Sequence, residues 1–156
     1  MKKSICLLLI PACWIMLSCG NLNNFEKNIS IPDHSWSSQY IPRIQFTISD
    51  STALYKLFVV IRHTDAYHYN NIWLNIGLQP PGDTMHYSRF DLLLATDADG
   101  WLGKGMDDIY EQRVPITDEP VKLKNGDYTV SLENIMREDP LAEVLNIGFR
   151  VEKLQP

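Results

Sequence analysis

Apolar residues alternate with polar ones along much of this 156-residue chain, and this alternation restricts its fold more than any other feature. Neighbouring side chains of a β-strand point to opposite faces, so a period of two places every second residue in a core. The pattern is clear in residues 44–48, 72–78 and 145–151, and no segment shows the sustained spacing of an amphipathic helix. The sequence therefore predicts an all-β protein.

Turn-forming residues divide the predicted strands at short intervals, at residues 80–83, 97–100, 118–120 and 138–140. With a further strand near residues 25–31, about eight strands result, which favours a single antiparallel β-sandwich, with a jelly roll as one form of it. The pair Asn125-Gly126 predicts a hairpin. In the last strand, alternation assigns four residues to one face: Leu145, Ile147, Phe149 and Val151.

The N-terminus has the layout of a secretory signal, with Lys2 and Lys3 before an apolar run of 13 residues, 5–17. A run of that length is shorter than the roughly 20 residues that a transmembrane helix needs. Residues 16–19, Met-Leu-Ser-Cys, resemble a bacterial lipobox, in which the cysteine becomes the first mature residue and carries the lipid. We predict a cleaved signal peptide (1–18), the lipidated Cys19 with a short tether (19–24), and a β-sandwich domain (25–156). The alternative is an ordinary signal peptide in which the cysteine has no role.

Cleavage at the predicted site would reduce the number of cysteines and make the net charge more negative. Cys6 and Cys13 leave with the signal peptide, so Cys19 remains as the single thiol of the 138-residue mature chain. An intramolecular disulfide, a cysteine nucleophile and a thiolate metal site are therefore excluded. The mature chain keeps 12 basic and 19 acidic residues, a net charge of −7, which excludes the basic surface that nucleic-acid binding requires.

The chain contains no complete catalytic or metal-binding motif. His63, Asp65 and His68 lie close in sequence, but zinc needs three or four converging ligands, and the histidines are predicted to lie in a loop or on the surface. No Gly-x-Ser-x-Gly nucleophile motif occurs. We therefore predict no catalytic residue, no metal and no cofactor.

Residues 97–108 begin like a calcium-binding loop, but the fifth and sixth positions hold Trp101 and Leu102 instead of an oxygen ligand and a glycine. An irregular calcium site formed by Asp97, Asp99 and Asp107 remains an alternative. The density of glycine, aromatic and charged residues favours a loop that contacts a partner. Its candidate residues are Gly100, Trp101, Leu102, Gly103, Lys104, Gly105, Asp107 and Asp108.

Three tryptophans remain after cleavage, Trp36, Trp73 and Trp101. Core packing is the favoured role for each, because large aromatic side chains dominate protein cores. As an alternative, Trp73 or Trp101 on a sheet face could form a platform for a sugar ring, which would make the protein an envelope carbohydrate-binding module.

The lipobox, residues 69–74 (Tyr-Asn-Asn-Ile-Trp-Leu) and residues 100–111, followed by the Arg-Val-Pro-Ile of residues 113–116, resemble the GldH family of gliding-motility lipoproteins of Bacteroidetes. The resemblance implies a non-enzymatic cell-envelope protein, anchored in a membrane through acyl chains such as palmitate on Cys19. It also implies other gliding or type IX secretion proteins as partners. No acidic run follows Cys19, which favours an anchor that faces the periplasm.

Overall fold

The computed structural model describes residues 24–154, which are folded into β-strands and turns apart from one short 3-10 turn at Pro32–His34. The strands are, in chain order, β1 (Asn24–Ser30), β2 (Ser35–Trp36), β3 (Arg43–Ile48), β4 (Leu54–Thr64), β5 (Asn71–Gln79), β6 (His86–Leu93), β7 (Ala95–Thr96), β8 (Gly100–Trp101), β9 (Lys104–Met106), β10 (Ile109–Pro115), β11 (Val121–Lys122), β12 (Gly126–Asn134), β13 (Leu141–Ala142) and β14 (Val144–Lys153). Within the described range, eight of these strands are six or more residues long. The predicted all-β class and the number of strands are confirmed.

Two antiparallel sheets enclose the core. The first sheet has the order β1-β14-β4-β10-β9, with β11 paired to the start of β4, and the second has the order β3-β12-β5-β6. The long strands form nested pairs, β1 with β14, β3 with β12, β4 with β10 and β5 with β6. This nesting is a long hairpin folded over on itself, which is the topology of a jelly roll.

The core lies between the inward faces of the two sheets. Phe46 of the second sheet stacks on Tyr128, with ring centroids 5.0 Å apart, and on Phe149 of the first sheet, at 5.8 Å. Burial of each such side chain contributes about 1.5–3 kcal/mol. Alternate residues are buried in three strands, in β5 as predicted: Leu57, Val59 and Ile61 of β4, Ile72, Leu74 and Ile76 of β5, and Tyr128, Val130 and Leu132 of β12.

The prediction for the last strand is wrong at its first residue. Ile147, Phe149 and Val151 are buried, but the pairing of β14 with β4 shifts by one residue between Val144 and Asn146. This β-bulge moves Leu145 off the inward face and places Val144, with no exposed surface, in the core instead.

The hairpin predicted at Asn125-Gly126 is also wrong. β11 pairs with β4 in the first sheet, whereas β12 pairs with β3 and β5 in the second, so the segment crosses between the sheets. The hydroxyl of Tyr128 closes this corner, because it accepts a hydrogen bond from the Lys124 backbone N–H at 2.8 Å and lies 3.2 Å from the Lys124 carbonyl oxygen. Gly126 has φ +127°, a conformation that only glycine adopts readily.

A charged network covers the outward face of the first sheet. Glu26 of β1 accepts hydrogen bonds from Arg113 of β10 at 2.9 Å and from Arg150 of β14 at 3.1 Å. The hydrogen bond from Arg113 lowers the pKa of Glu26, and Arg150 adds to the effect. Val60, on this outward face, is only 2% exposed. The network therefore links β1 with β10, between which β14 and β4 lie in the sheet.

Candidate functional site

The predicted contact loop begins in the ribbon formed by β7 and β8 and continues into β9. Trp101 of β8 packs inward, with its ring centroid 4.5 Å from that of His63, 5.9 Å from Tyr110 and 6.2 Å from Tyr67. The Leu102 N–H donates to the Leu94 carbonyl oxygen at 2.8 Å. Trp101 therefore attaches the loop to the domain. The side chain is half-buried, so its predicted role in the core is confirmed only in part.

Two glycines of the loop are explained by close packing. A Cβ atom at Gly103 would lie 2.6 Å from the Glu111 carbonyl oxygen, and one at Gly105 would lie 2.9 Å from the Tyr110 ring. Neither approach leaves room for a side chain without movement of the neighbouring strand. Gly100 has φ +67° and ends the tight turn between β7 and β8.

The outward side of this region carries the contact edge, which we define as Leu93, Leu102 and β9. Leu93 is 47% exposed, Leu102 40% and Met106 of β9 69%. Within residues 24–154, β9 forms the edge of the first sheet, and it pairs with β10 along one side. Gln112 of β10 donates to the Leu93 carbonyl oxygen at 2.9 Å, which links the edges of the two sheets.

The two aspartates of the loop, Asp107 and Asp108, shape it through their backbone conformation and a backbone hydrogen bond. Asp107 adopts a left-handed conformation, φ 56°, in the turn between β9 and β10. The Asp108 carbonyl oxygen accepts a hydrogen bond from the Asp65 N–H at 2.7 Å. Lys104 is exposed and lies opposite Glu111 in the β9–β10 pairing.

The alternative calcium site receives no support from the described residues. Within residues 24–154, no group of three or more acidic, histidine or cysteine side chains is placed to hold a metal ion. The Asp99 carboxylate instead accepts a hydrogen bond from the Thr96 hydroxyl at 3.0 Å and lies in the turn between β7 and β8.

The prediction that the histidines lie in a loop or on the surface is wrong for His63. Strand β4 extends to Thr64, and the inward alternation of the strand includes His63, which is 1% exposed. Its Nδ1 lies 2.7 Å from the Thr64 carbonyl oxygen, which can only accept, so this nitrogen carries the proton. Burial lowers the pKa of His63, and the hydrogen bond to Thr64 opposes that shift in part.

The buried His63 is expected to make the domain less stable in mild acid. Below the ordinary histidine pKa of about 6.5 the unfolded chain takes up a proton that the folded chain resists, so stability falls as the pH falls. The largest slope for one such group is about 1.4 kcal/mol per pH unit. Urea unfolding of wild type and of His63→Gln between pH 7.5 and 5.5 measures it, and the variant should lose most of the slope. His34→Gln, which alters an exposed histidine, is the control, and an equal loss of slope in it would contradict the prediction.

A second feature, the aromatic cleft, lies on the outward face of the second sheet. It encloses about 520 Å³ and is lined by Tyr69, Asn71, Trp73, Ile135, Met136 and Arg137. The core role predicted for the tryptophans is confirmed for Trp36, which has no exposed surface, and is wrong for Trp73, which is 42% exposed. The outward position of Trp73 could have been predicted from the alternation of β5. Ile72 and Leu74 face inward, so Trp73 between them must face outward.

Hydrogen bonds hold one wall of the aromatic cleft in place. The Ile135 N–H donates to the Trp73 carbonyl oxygen at 3.1 Å, and the Trp73 N–H donates to the sulfur of Met136 at 3.2 Å. The side chain of Asn134, 1% exposed, donates to the Trp36 carbonyl oxygen at 3.1 Å and accepts from the Met136 N–H at 2.9 Å. This wall is therefore fixed to the core.

The predicted lipid attachment residue, Cys19, and most of its tether lie outside the described residues. The remaining candidate residues divide into two sites on the folded domain, the contact edge and the aromatic cleft. The loop of the contact edge is evident in the sequence, whereas the cleft is not, because it combines residues 69–73 with the distant residues 135–137.

The fold is that of an all-β jelly-roll domain, on which the contact edge and the aromatic cleft lie. The chain belongs to the GldH lipoprotein family, whose sequence model matches residues 23–151. It is therefore a membrane-anchored lipoprotein of the cell envelope. No helix in the described part of the chain is long and apolar enough to span a membrane.

Two relatives extend over most of the chain. The gliding motility lipoprotein GldH of Flavobacterium johnsoniae is 26% identical over 153 residues, 94% of each chain. A gliding motility lipoprotein GldH homolog of Christiangramia forsetii is 28% identical over 149 residues, 87% of each chain. Among solved structures, a carbohydrate-binding module specific for non-crystalline cellulose matches 83% of this chain and 73% of its own, with 14% identity and a TM-score of 0.41. A similarity of that degree says nothing about what this chain binds.

Proposed function

We propose that this chain is a non-enzymatic component of the gliding-motility apparatus that docks on other envelope proteins while its N-terminal lipid holds it at a membrane. Family membership and the names of both relatives support the link to gliding. Partners from the type IX secretion machinery are included because the family resemblance implies them. A periplasm-facing anchor is included because no acidic run follows Cys19.

The anchor restricts where the domain can reach. β1 begins at Asn24, five positions after Cys19. A segment of that length spans at most roughly 18 Å when fully extended. The first sheet would therefore stay close to the bilayer, where other membrane-bound envelope proteins are accessible to it.

The observation that carries the docking proposal is the contact edge. Large apolar side chains that are exposed together mark interaction surfaces on soluble domains. An edge strand also offers backbone N–H and C=O groups to an added strand. Leu93, Leu102 and Met106 provide the first property, and β9 provides the second.

Charge substitutions at this edge are expected to disrupt docking. The double variant Leu102→Lys with Met106→Lys should reduce the yield of crosslinked envelope partners in the native bacterium by about tenfold, because apolar anchors dominate the energy of such interfaces. The measurement is crosslinking followed by mass spectrometry of the captured proteins.

The matched control is Leu54→Lys, which adds a lysine at a leucine of similar exposure, 41%, in β4 of the same sheet. The free energy of unfolding should change by less than about 0.5 kcal/mol in each variant. Unchanged partner recovery in the double variant, or an equal loss with Leu54→Lys, would rule out the contact edge as the docking surface.

A further inference from the structure

The outward face of the second sheet presents an exposed tryptophan, Trp73, that does not pack in the core of the domain. Trp73 is 42% exposed and shares the aromatic cleft with Tyr69, four residues earlier in the chain. Trp73 lies outside the buried core cluster, whereas Trp36 is part of it and Trp101 packs against it. An exposed indole beside a cleft offers a large apolar contact surface to a ligand.

Polar side chains surround this aromatic surface and are already oriented. Asn71 donates to the Asp91 carboxylate at 2.6 Å, and the Tyr69 hydroxyl donates to Glu138 at 2.9 Å. Each of these side chains keeps further hydrogen-bonding capacity, since an amide has four sites and a carboxylate about four. Arg137 is exposed at the cleft and makes no ion pair within the described residues.

We propose that the aromatic cleft binds a neutral saccharide, whose pyranose ring stacks on Trp73 while its hydroxyl groups bond to Asn71, Asp91 and Arg137. A pyranose ring has an apolar face that can stack on an indole, and hydroxyl groups around its rim that can bond to amide, carboxylate and guanidinium groups. This proposal is independent of docking through the contact edge.

The backbone of the cleft favours a saccharide over an extended peptide. The Trp73 N–H and C=O are both occupied, by Met136 and Ile135 respectively. On its other side β5 pairs with β6, where Trp73 lies opposite Asp91. A peptide that adds a strand needs free backbone groups, so this part of the sheet offers it side-chain contacts alone.

The charges favour a neutral ligand over an acidic one. Carboxylates outnumber guanidinium groups on this part of the outward face. Asp91, Glu133 and Glu138 lie at or beside the cleft, against Arg89 and Arg137. The Nδ1 atom of His68 lies 3.8 Å from the Glu138 carboxylate. A polyanionic saccharide would therefore meet net repulsion, whereas hydroxyl groups can donate to the carboxylates and accept from the guanidinium groups.

The test uses the full-length lipoprotein in a polyoxyethylene detergent, since glucoside and maltoside detergents contain the sugars under study. Neutral hexasaccharides of glucose, mannose, xylose and galactose are titrated by calorimetry, with a galacturonic acid hexasaccharide as the acidic probe. We expect at least one neutral probe to bind and to protect tryptophan emission from acrylamide. Trp73 is the most exposed of the three mature tryptophans, so protection should come from it.

Trp73→Ala should weaken binding by at least about tenfold, and Trp73→Tyr, which keeps a ring, should recover part of the affinity. Tyr87→Ala is the matched control, because Tyr87 is 57% exposed on the neighbouring strand β6 and does not line the cleft. No neutral probe binding at about 10 mM, binding of the acidic probe alone, or binding that Trp73→Ala leaves unchanged would overturn the proposal. Trp73→Ala should leave partner crosslinking intact, so failure here and failure of docking are distinguishable.

Discussion

Replacing Cys19 with alanine is expected to bring palmitate incorporation to background and to move the protein from the membrane fraction to the soluble fraction. Cys19 would be the single thiol left after cleavage at the predicted site, so no other side chain could then carry the thioether-linked lipid. Each buried methylene contributes about 0.8 kcal/mol, and stable anchoring needs more than one acyl chain. Loss of the cysteine should therefore abolish anchoring completely. Radiolabelled palmitate and membrane fractionation of native cells measure the two effects.

Cys13→Ala is the matched control, because it removes a cysteine of the predicted signal peptide and leaves Cys19 in place. Its labelling and fractionation should equal those of wild type. If Cys19→Ala keeps its palmitate, the chain carries an ordinary signal peptide and Cys19 is not the anchor.

Replacing Phe149 with alanine should lower the free energy of unfolding by about 3–5 kcal/mol, the cost typical of removing a buried aromatic ring. Phe149 has no exposed surface, and β14 pairs with β1 on one side and β4 on the other. Its ring, stacked on Phe46, joins the two sheets. Domains of this size have a total stability of about 5–15 kcal/mol, so the variant should lose a large part of its stability.

Urea unfolding of the full-length protein measures this change, and Phe149→Leu, which keeps most of the volume, should cost less than half as much. Tyr87→Ala removes a ring that is 57% exposed and should change the stability by less than about 0.5 kcal/mol. Equal losses in Phe149→Ala and Tyr87→Ala would contradict the assignment of the core.

Local patterns in the chain were sufficient for its all-β class and for most inward-facing residues. Alternation needs only the two faces of a strand, so Ile72 and Leu74 are assigned without knowledge of any neighbour. The same rule failed where pairing was irregular. Leu145 leaves the core because a bulge, which depends on the partner strand, shifts the register of β14.

The candidate sites depended more strongly on contacts between distant residues. The loop of residues 100–108 was selected from composition, but Trp101 faces His63 and Tyr110 because β4 and β10 are adjacent in the first sheet. The aromatic cleft combines residues 69–73 with residues 135–137, and no local pattern records that proximity.

Alternation and the N-terminal motifs are properties of neighbouring residues, so the chain alone specifies strands and predicts a lipoprotein layout with a single thiol after cleavage. Sheet order is different, because it joins residues that are far apart in the sequence. β1 pairs with β14, so Asn24 lies opposite Glu152, although almost the whole domain separates them along the chain. Pairings at such separations depend on the packing of both sheets around one core and not on local preference. The nested jelly roll, the buried His63 and the outward Trp73 with its cleft therefore emerge from the folded domain, because long-range packing brings their residues together.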